Sequence, residues 1–151
     1  MSVRNTVEDW FIRVAASGFL PASWWLSLPD PATITARRGR LAIEIVSHCW
    51  QYGHLLAYQL SSIVNFPPTQ ATVRMTVFYA PQDLRTRAML DFFGAIRVPN
   101  VTWNWQAIEP GRLFRRSIGR NLIARSTTAD WVWFTDCDII FHRLCLDTLV
   151  E

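Results

Sequence analysis

The chain has 151 residues, of which 50% are hydrophobic, and its formal net charge is +3. This length and composition support one domain with a hydrophobic core and argue against disorder throughout. No stretch reaches the ~18 to 20 uninterrupted apolar residues of a membrane span, and the start lacks the hydrophobic region of a secretory signal. All 15 basic residues are Arg, but neither basic cluster is long enough to require nucleic acid as a partner. We therefore expect a cytoplasmic protein.

Residues 1–40 differ in pattern from the remainder and predict an N-terminal helix followed by an irregular arm. Apolar residues around Trp10 fall near helical spacing, and Pro21 and two further prolines then interrupt an apolar stretch around Trp24. The favoured interpretation is that these aromatic side chains pack onto the domain. The alternative is an amphipathic contact with a partner or a membrane, which would place the protein at the membrane surface.

Residues 41–151 alternate between strand and helix patterns. The strands are predicted at Leu41–Val46, 72–79, Val101–Trp105 and Trp131–Thr135, the last of them buried. The helices are predicted at His54–Val64, from the N-cap Asp83 to Gly94 with the stripe Leu84, Ala88 and Phe92, and from about Phe114 to Ser126. This alternation predicts an α/β fold with a mostly parallel sheet and helices on both faces.

Two carboxylates, Asp136 and Asp138, directly follow the last predicted strand. In a strand, residues i and i+2 share a face, so an extended backbone would point both acids the same way. Paired carboxylates suit Mg²⁺ or Mn²⁺, ions whose coordination is commonly completed by substrate phosphates. Ligands of parallel sheets gather beyond the carboxyl ends of the strands, where the loops Ser47–Tyr52 and Ala80–Asp83 are also predicted. The pattern therefore predicts a site for a cation and a phosphate-bearing ligand.

Three segments together resemble family 2 glycosyltransferases of the GT-A fold. Gly119-Arg120-Asn121 stands where that family carries Ala-Arg-Asn on a helix, and Asp136-Cys137-Asp138 matches its Asp-x-Asp motif, sixteen residues after Arg120. Leu60-Ser61-Ser62-Ile63 is similar to the family's first-helix Leu-x-Ser-Ile signature. The resemblance covers about Leu41 to the end and implies a Rossmann-like GT-A nucleotide-diphospho-sugar transferase fold.

The chain departs from the family pattern at three places. Ser47-His48-Cys49-Trp50 replaces the usual Pro-Thr-Tyr-Asn after the first strand, and Asp83 is the acid available after the second strand. Ile123 and Ala129 stand where two glycines are expected around the third helix. These departures bear on nucleotide recognition more than on the fold.

The resemblance implies a metal-dependent glycosyltransferase of hexosyltransferase type. Asp138 and Asp136 would hold Mn²⁺ or Mg²⁺, and Asp136, Asp83, Arg120 and Ser47 would bind a nucleotide-diphospho-sugar donor. The acceptor, a carbohydrate, lipid or protein, and the catalytic base are not identified. In the family these lie downstream of the Asp-x-Asp motif, so residues 41–151 are expected to be an incomplete, donor-binding half of the domain.

Two other functions remain open at this stage. A metal-dependent nucleotidyl- or phosphotransferase would need a further carboxylate for a second cation, and Asp83 is the nearby option. A non-catalytic module could use Arg and Trp to engage nucleic acid or a membrane. A transition-metal site at Cys137, Asp138 and His142 matches no common ligand set. His48 and His54 receive no assigned role, and His142 is a candidate only for a position beside the metal ligands.

Overall fold

A computed structural model describes Trp10, Val14 and residues 40–149. The chain divides into two compact units, Met1–Arg38 and Gly39–Glu151, and the sheet belongs to the second. Trp10 and Val14 are helical, whereas the rest of the predicted helix and arm before Arg40 lies outside the described residues. None of the helices in this described part has the length and hydrophobicity that a membrane span requires.

The predicted alternation of strands and helices is confirmed within the second unit. In chain order its elements are β1 (Ala42–Cys49), α1 (Gly53–Asn65), β2 (Thr72–Tyr79), α2 (Leu84–Gly94), β3 (Val101–Ala107), α3 (Pro110–Leu113), α4 (Arg116–Ser126) and β4 (Trp131–Phe134). The protein is therefore an α/β protein. Its third predicted helix corresponds to α4, and the short helix α3 before it was not predicted.

The four described strands form one parallel sheet in the order β3-β2-β1-β4. The chain moves outward from β1 to β2 and β3, and then returns to the other side of β1. Since crossovers between parallel strands are right-handed, a reversal of direction sends the connecting helices to the opposite face. Leu56 and Leu90 of α1 and α2 belong to one core cluster, whereas Ile123 of α4 belongs to a second cluster. Helices thus cover both faces.

The strand β1 is the centre of the sheet, and its side chains alternate between the two cores. Ile43 and Ile45 belong to the cluster under α1 and α2, and Val46 belongs to the cluster under α4. This alternation follows the two-residue period of a strand. Both faces of β1 are consequently buried, and they include the polar residues Glu44 and Ser47.

A carboxylate is buried within this central strand. Glu44 is 1% exposed, and its two oxygens accept hydrogen bonds from Thr76 Oγ1 at 2.6 Å and Thr127 Oγ1 at 2.5 Å. Thr76 Oγ1 in turn accepts from Asn104 Nδ2 at 3.0 Å. Because Thr127 directly follows α4, its hydrogen bond to Glu44 connects the end of that helix to β1.

Two expectations about the edges of these elements are wrong. β1 continues three residues beyond Val46, so Ser47 and the two residues after it belong to the strand rather than to a loop. β4 was expected to be buried, but it pairs only with β1 among the described strands, and Trp131 is 65% exposed. A hydrophobic run by itself does not distinguish a central strand from an edge strand.

The predicted apolar stripe of α2 faces away from the core. Leu84 is 69% exposed and Phe92 is 64% exposed, whereas α2 buries Thr86, Leu90 and Phe93. The buried residues follow the same helical period on another face, and the hydroxyl of buried Thr86 donates to the Asp83 carboxylate at 2.6 Å. The four-residue repeat chosen from the sequence therefore marks the exposed face of α2.

Asp147 joins the last described residues to the α1–β2 loop. Its carboxylate accepts hydrogen bonds at 2.8 Å from the backbone N–H groups of Thr69 and Gln70 and from the Thr69 hydroxyl. Burial raises the pKa of Asp147, but these hydrogen bonds outweigh it, and the net pKa lies below its ordinary value. Ionised Asp147 therefore stabilises the folded state.

We expect Asp147→Ala to lower the free energy of unfolding at neutral pH by about 3 kcal/mol, because several charge-assisted hydrogen bonds are lost. A depressed carboxyl pKa gives stability that is present above the unfolded-state pKa of ~3.9 and lost as the pH falls through the folded-state pKa. The difference between wild type and variant should therefore shrink below pH ~3.9. Urea unfolding at several pH values measures it.

The matched control is Asp91→Ala, since the Asp91 side chain is 71% exposed and lies 3.9 Å from Arg87. Such a surface pair contributes only about 0.3 to 0.5 kcal/mol. Equal decreases in the free energy of unfolding in the two variants would contradict the role given to Asp147.

Candidate functional site

All four described strands are parallel, so their carboxyl ends lie at one edge of the sheet. The strand order reverses between β1 and β4, and ligands of open α/β sheets bind outside the carboxyl ends at such a switch point. Val46 pairs with Phe134, and the N–H of Thr135 donates to the carbonyl of Val46 at 3.0 Å. The Asp136-Cys137-Asp138 segment directly follows that hydrogen bond. The structure therefore brings the predicted acids to the switch point.

The backbone leaves the strand conformation before it reaches the second acid. β4 ends at Phe134, and Cys137 and Asp138 form a turn. Asp136 and Asp138 are both exposed, whereas Cys137 is partly buried and packs against the core. The turn thus exposes the two carboxylates to solvent, while Cys137 between them packs against the core.

Asp136 forms an ion pair with Arg116, with 2.6 Å between Oδ1 and Nη1. Arg116 is the first residue of α4, a helix whose N-terminus lies at the carboxyl edge of the sheet. From the sequence, Arg116 was expected to be solvated, and its side chain is indeed 56% exposed, but it also pairs with Asp136. Its position four residues before Arg120 was a usable signal, because residues i and i+4 share a helix face.

Arg120 lies on that same face of α4. Its guanidinium carbon is 5.6 Å from the centroid of the Phe134 ring, which is a cation–π distance. The two arginines therefore lie beside the end of β4 and beside Asp136. This arrangement places positive charge next to the predicted cation and phosphate site.

His48 lies under these charged groups. Its ring stacks on Phe78 with 5.0 Å between centroids, and its Nε2 is buried without a hydrogen-bond partner. Burial and, to a smaller extent, the positive charges of Arg120 and Arg116 together lower the pKa of His48 to about 4, while Asp136 opposes them. The imidazole is therefore neutral at pH 7.

Gly119 provides the space for this histidine. A Cβ at position 119 would collide with His48 Nε2 and would stand 3.0 Å from two ring atoms of Phe78. His48 is one of the positions at which the chain departs from the glycosyltransferase pattern. It fits beside α4 because Gly119 has no side chain.

Ser47 and Gln59 support the acidic turn from inside the core. Both are fully buried; the Ser47 hydroxyl donates to Gln59 Oε1 and Gln59 Nε2 donates to the backbone carbonyl of Asp136, each at 2.9 Å. Ser47 therefore lies inside β1 and reaches the predicted site only through Gln59. Gln59 was not recognised in the sequence because it occupies a core position of α1 between apolar residues.

Asp83 also lies at the carboxyl edge, where its carboxylate has partners within the protein. It accepts from the N–H of Gln51 at 2.6 Å and from the N–H and hydroxyl of Thr86. Burial raises the pKa of Asp83, but these hydrogen bonds outweigh it and the net pKa is below the ordinary value. Asp83 joins the end of β1 to the start of α2 and lines a cleft of about 510 Å³ with Trp50, Gln51 and Arg85.

Within residues 40–149, no group of three or more His, Cys, Asp or Glu side chains is arranged to hold a metal ion. Asp83 therefore does not join Asp136 and Asp138 in one cluster, as a two-cation transferase would need. The two exposed carboxylates still fit Mg²⁺ or Mn²⁺ chemically, because these hard cations take one or two protein carboxylates together with ligand phosphates.

No known family profile matches this chain, and a search of curated proteins finds no relative.

We expect Gly119→Ala to lower the free energy of unfolding by about 1 to 3 kcal/mol, because the new methyl group forces His48 and Phe78 to move. Adding His48→Ala should recover part of this loss, since neighbouring substitutions are not additive when one removes the collision. Urea unfolding of the single and double variants measures the coupling.

Gly111→Ala is the control, because its Cβ would meet only the flexible Glu109 carboxylate at 3.2 Å. A Gly119→Ala variant as stable as this control would show that His48 is not confined by Gly119.

We expect Gln59→Leu to lower the free energy of unfolding by about 2 kcal/mol, because the buried Ser47 hydroxyl loses its acceptor and the Asp136 carbonyl loses a donor. The control is Gln106→Leu, which removes only an exposed bond to Asn104. The control should stay within about 0.5 kcal/mol of wild type. Indistinguishable urea midpoints for the two variants would refute the supporting role of Gln59.

Proposed function

We propose that this chain contains the donor-binding part of a metal-dependent glycosyltransferase of the GT-A type, acting on a nucleotide-diphospho-sugar. The observation that carries the proposal is the position of Asp136 and Asp138 immediately after β4, at the switch point of a parallel sheet. The resemblance to family 2 glycosyltransferases rests on the same acids and on Arg120, and the geometry brings these residues to the same region of the site.

The charges of the site suit a diphosphate bound together with a cation. Asp136 and Asp138 would hold Mn²⁺ or Mg²⁺, and Arg116 and Arg120 would face the phosphate oxygens. When bound, the cation would stabilise the negative charge that develops on the leaving diphosphate. Arg is well suited to this role, because its planar guanidinium can donate two parallel hydrogen bonds to one phosphate.

The ion pair between Arg116 and Asp136 has a second function in this proposal. The Arg116 and Asp136 side chains are 56% and 59% exposed, so the pair can open at little cost when a ligand approaches. Until then, each charge neutralises the other and keeps the acidic turn close to α4. Arg116 is thus a positioning group for Asp136 as well as a phosphate ligand.

The nucleoside is proposed to bind beside the ends of β1 and β2. The 510 Å³ cleft there has the volume of typical small-molecule sites, and Trp50 offers an aromatic surface to a base. Asp83 lines this cleft and orients the Gln51 backbone. In this arrangement Asp83 shapes the nucleoside site, and Ser47 acts through Gln59 on the diphosphate site.

The proposal predicts cation-dependent nucleotide binding by the full chain. In calorimetry, UDP or GDP should bind at least about tenfold more tightly with MnCl₂ than with a chelator, which corresponds to ~1.4 kcal/mol. Asp138→Asn should abolish this difference, because it removes an exposed anionic oxygen that the cation needs. Asp91→Asn, which changes an exposed carboxylate on α2, should retain it.

Equal affinities in MnCl₂ and chelator, or no binding of either nucleotide, would refute the donor site. Circular dichroism of Asp138→Asn distinguishes a lost ligand from a lost fold. The proposal is supported if Asp138→Asn has the circular dichroism spectrum of the wild type and its nucleotide affinity does not depend on the cation.

A further inference from the structure

A polar cavity of about 270 Å³ lies beside α4, over the strands β1, β2 and β3. Its polar lining includes Glu44 of β1, Arg74 of β2, and Asn104 and Gln106 of β3. The residues of the acidic turn and the two arginines of the proposed donor site do not line it. The cavity is therefore separate from that site.

The strand register brings these polar side chains to one face of the sheet. Arg74 pairs with Glu44, and Asn104 pairs with Thr76. Residues in register on neighbouring parallel strands project to the same face, which here is the face that α4 covers at Val46. Asn104 is only partly buried and Gln106 is exposed, because β3 is an edge strand among the described strands.

A chain of hydrogen bonds fixes the two amides. Gln106 Nε2 donates to Asn104 Oδ1 at 2.6 Å, and Asn104 Nδ2 donates to Thr76 Oγ1 at 3.0 Å. A side-chain amide has two N–H donors and one carbonyl acceptor. One N–H of each amide and the carbonyl of Gln106 therefore have no partner in the part of the chain that the structure describes, and they are available to a ligand.

The guanidinium of Arg74 is available as well. Within residues 40–149 it forms no hydrogen bond and no ion pair, although Glu44 is its direct neighbour in register. Glu44 is 1% exposed, and its oxygens accept instead from the hydroxyls of Thr76 and Thr127. Arg74 is exposed and lines the cavity, so its N–H donors can reach a bound molecule.

The charges around the cavity favour a neutral ligand. A phosphate or carboxylate would be attracted by Arg74 but repelled by the buried carboxylate of Glu44, and a cation would meet the opposite combination. A neutral molecule avoids both repulsions. Hydroxyl groups suit the two amides, because a hydroxyl both donates and accepts a hydrogen bond.

We propose that this cavity binds one neutral sugar unit. Arg74, Asn104 and Gln106 would bind its hydroxyls, and Phe78 and Leu122, which line the same cavity, would contact the C–H groups of the ring. The volume is below the about 300 to 1,000 Å³ of sites for drug-sized ligands, which suits a single sugar ring. This inference does not rest on the proposed donor site.

The experiment titrates the isotope-labelled full chain with D-glucose, D-galactose, D-mannose and N-acetyl-D-glucosamine at millimolar concentrations and follows backbone amide signals by NMR. At least one sugar should cause saturable shifts at residues 102–106 and 122–127. Its methyl glycoside distinguishes the source: equal binding indicates the end of a glycan, and lost binding indicates a free monosaccharide. Both results support the sugar site.

Two variants of exposed residues test the contacts. Arg74→Gln and Gln106→Leu should each weaken sugar binding at least about tenfold, which corresponds to ~1.4 kcal/mol. The matched control is Arg87→Gln, because Arg87 is 58% exposed and does not line the cavity. It should bind the sugar as the wild type does, and so should Asp138→Asn. Circular dichroism checks that all four variants are folded.

Three results would overturn the proposal. The first is that none of the four sugars shifts these signals. The second is that acetate or inorganic phosphate shifts them more strongly than any sugar, which would indicate an anion site. The third is that Arg74→Gln binds the sugar as tightly as Arg87→Gln does. Sugar binding that is lost in Asp138→Asn would instead place the sugar at the donor site, and would also overturn it.

Discussion

The hydrogen bonding of β1 on both of its sides is the constraint on which the remaining structure depends. Because β2 pairs with one side and β4 with the other, the chain must reverse its direction across the sheet. That reversal sends α4 to the opposite face from α1 and α2 and opens a switch point at the end of β1. The two acids and the two arginines all lie at or beside that point. The hydrogen bond between Glu44 and Thr127 also connects the end of α4 to β1.

The interior of the site is shaped by steric fit as much as by charge. His48 can stack on Phe78 only because position 119 carries no side chain, and its neutrality follows from burial below two guanidinium groups. On the other face of β1, Ser47 and Gln59 hold the carbonyl of Asp136 without contacting solvent. Consecutive residues of β1 thus act on opposite faces of the sheet: His48 packs against Phe78, and Ser47 acts through Gln59 on the acidic turn.

The sequence predicted the α/β class and the approximate positions of all four strands because hydrophobic periodicity and prolines are local signals. It also identified Asp83 as an N-cap, and its side chain does accept from the N–H of Thr86. It could not show which face α2 buries, because apolar residues at helical spacing occur on two faces, one with Leu84 and Phe92 and the other with Leu90 and Phe93. Nor could it place β4 at the edge of the sheet, since strand order depends on pairing between distant residues. The contacts of Arg116 and Gln59 with Asp136 were likewise not predictable, because each joins residues that are far apart along the chain.

The low pKa of His48 has a consequence for how the site responds to its surroundings. A histidine in water changes charge near pH ~6.5, but this imidazole remains neutral down to about pH 4. The positive potential around Arg116 and Arg120 therefore does not vary with the charge of His48 through the range in which cells acidify. His48 thus acts as a neutral aromatic ring that fills space beside Phe78. Moderate acidification adds no positive charge at this histidine, so it does not change how strongly the site attracts an anion.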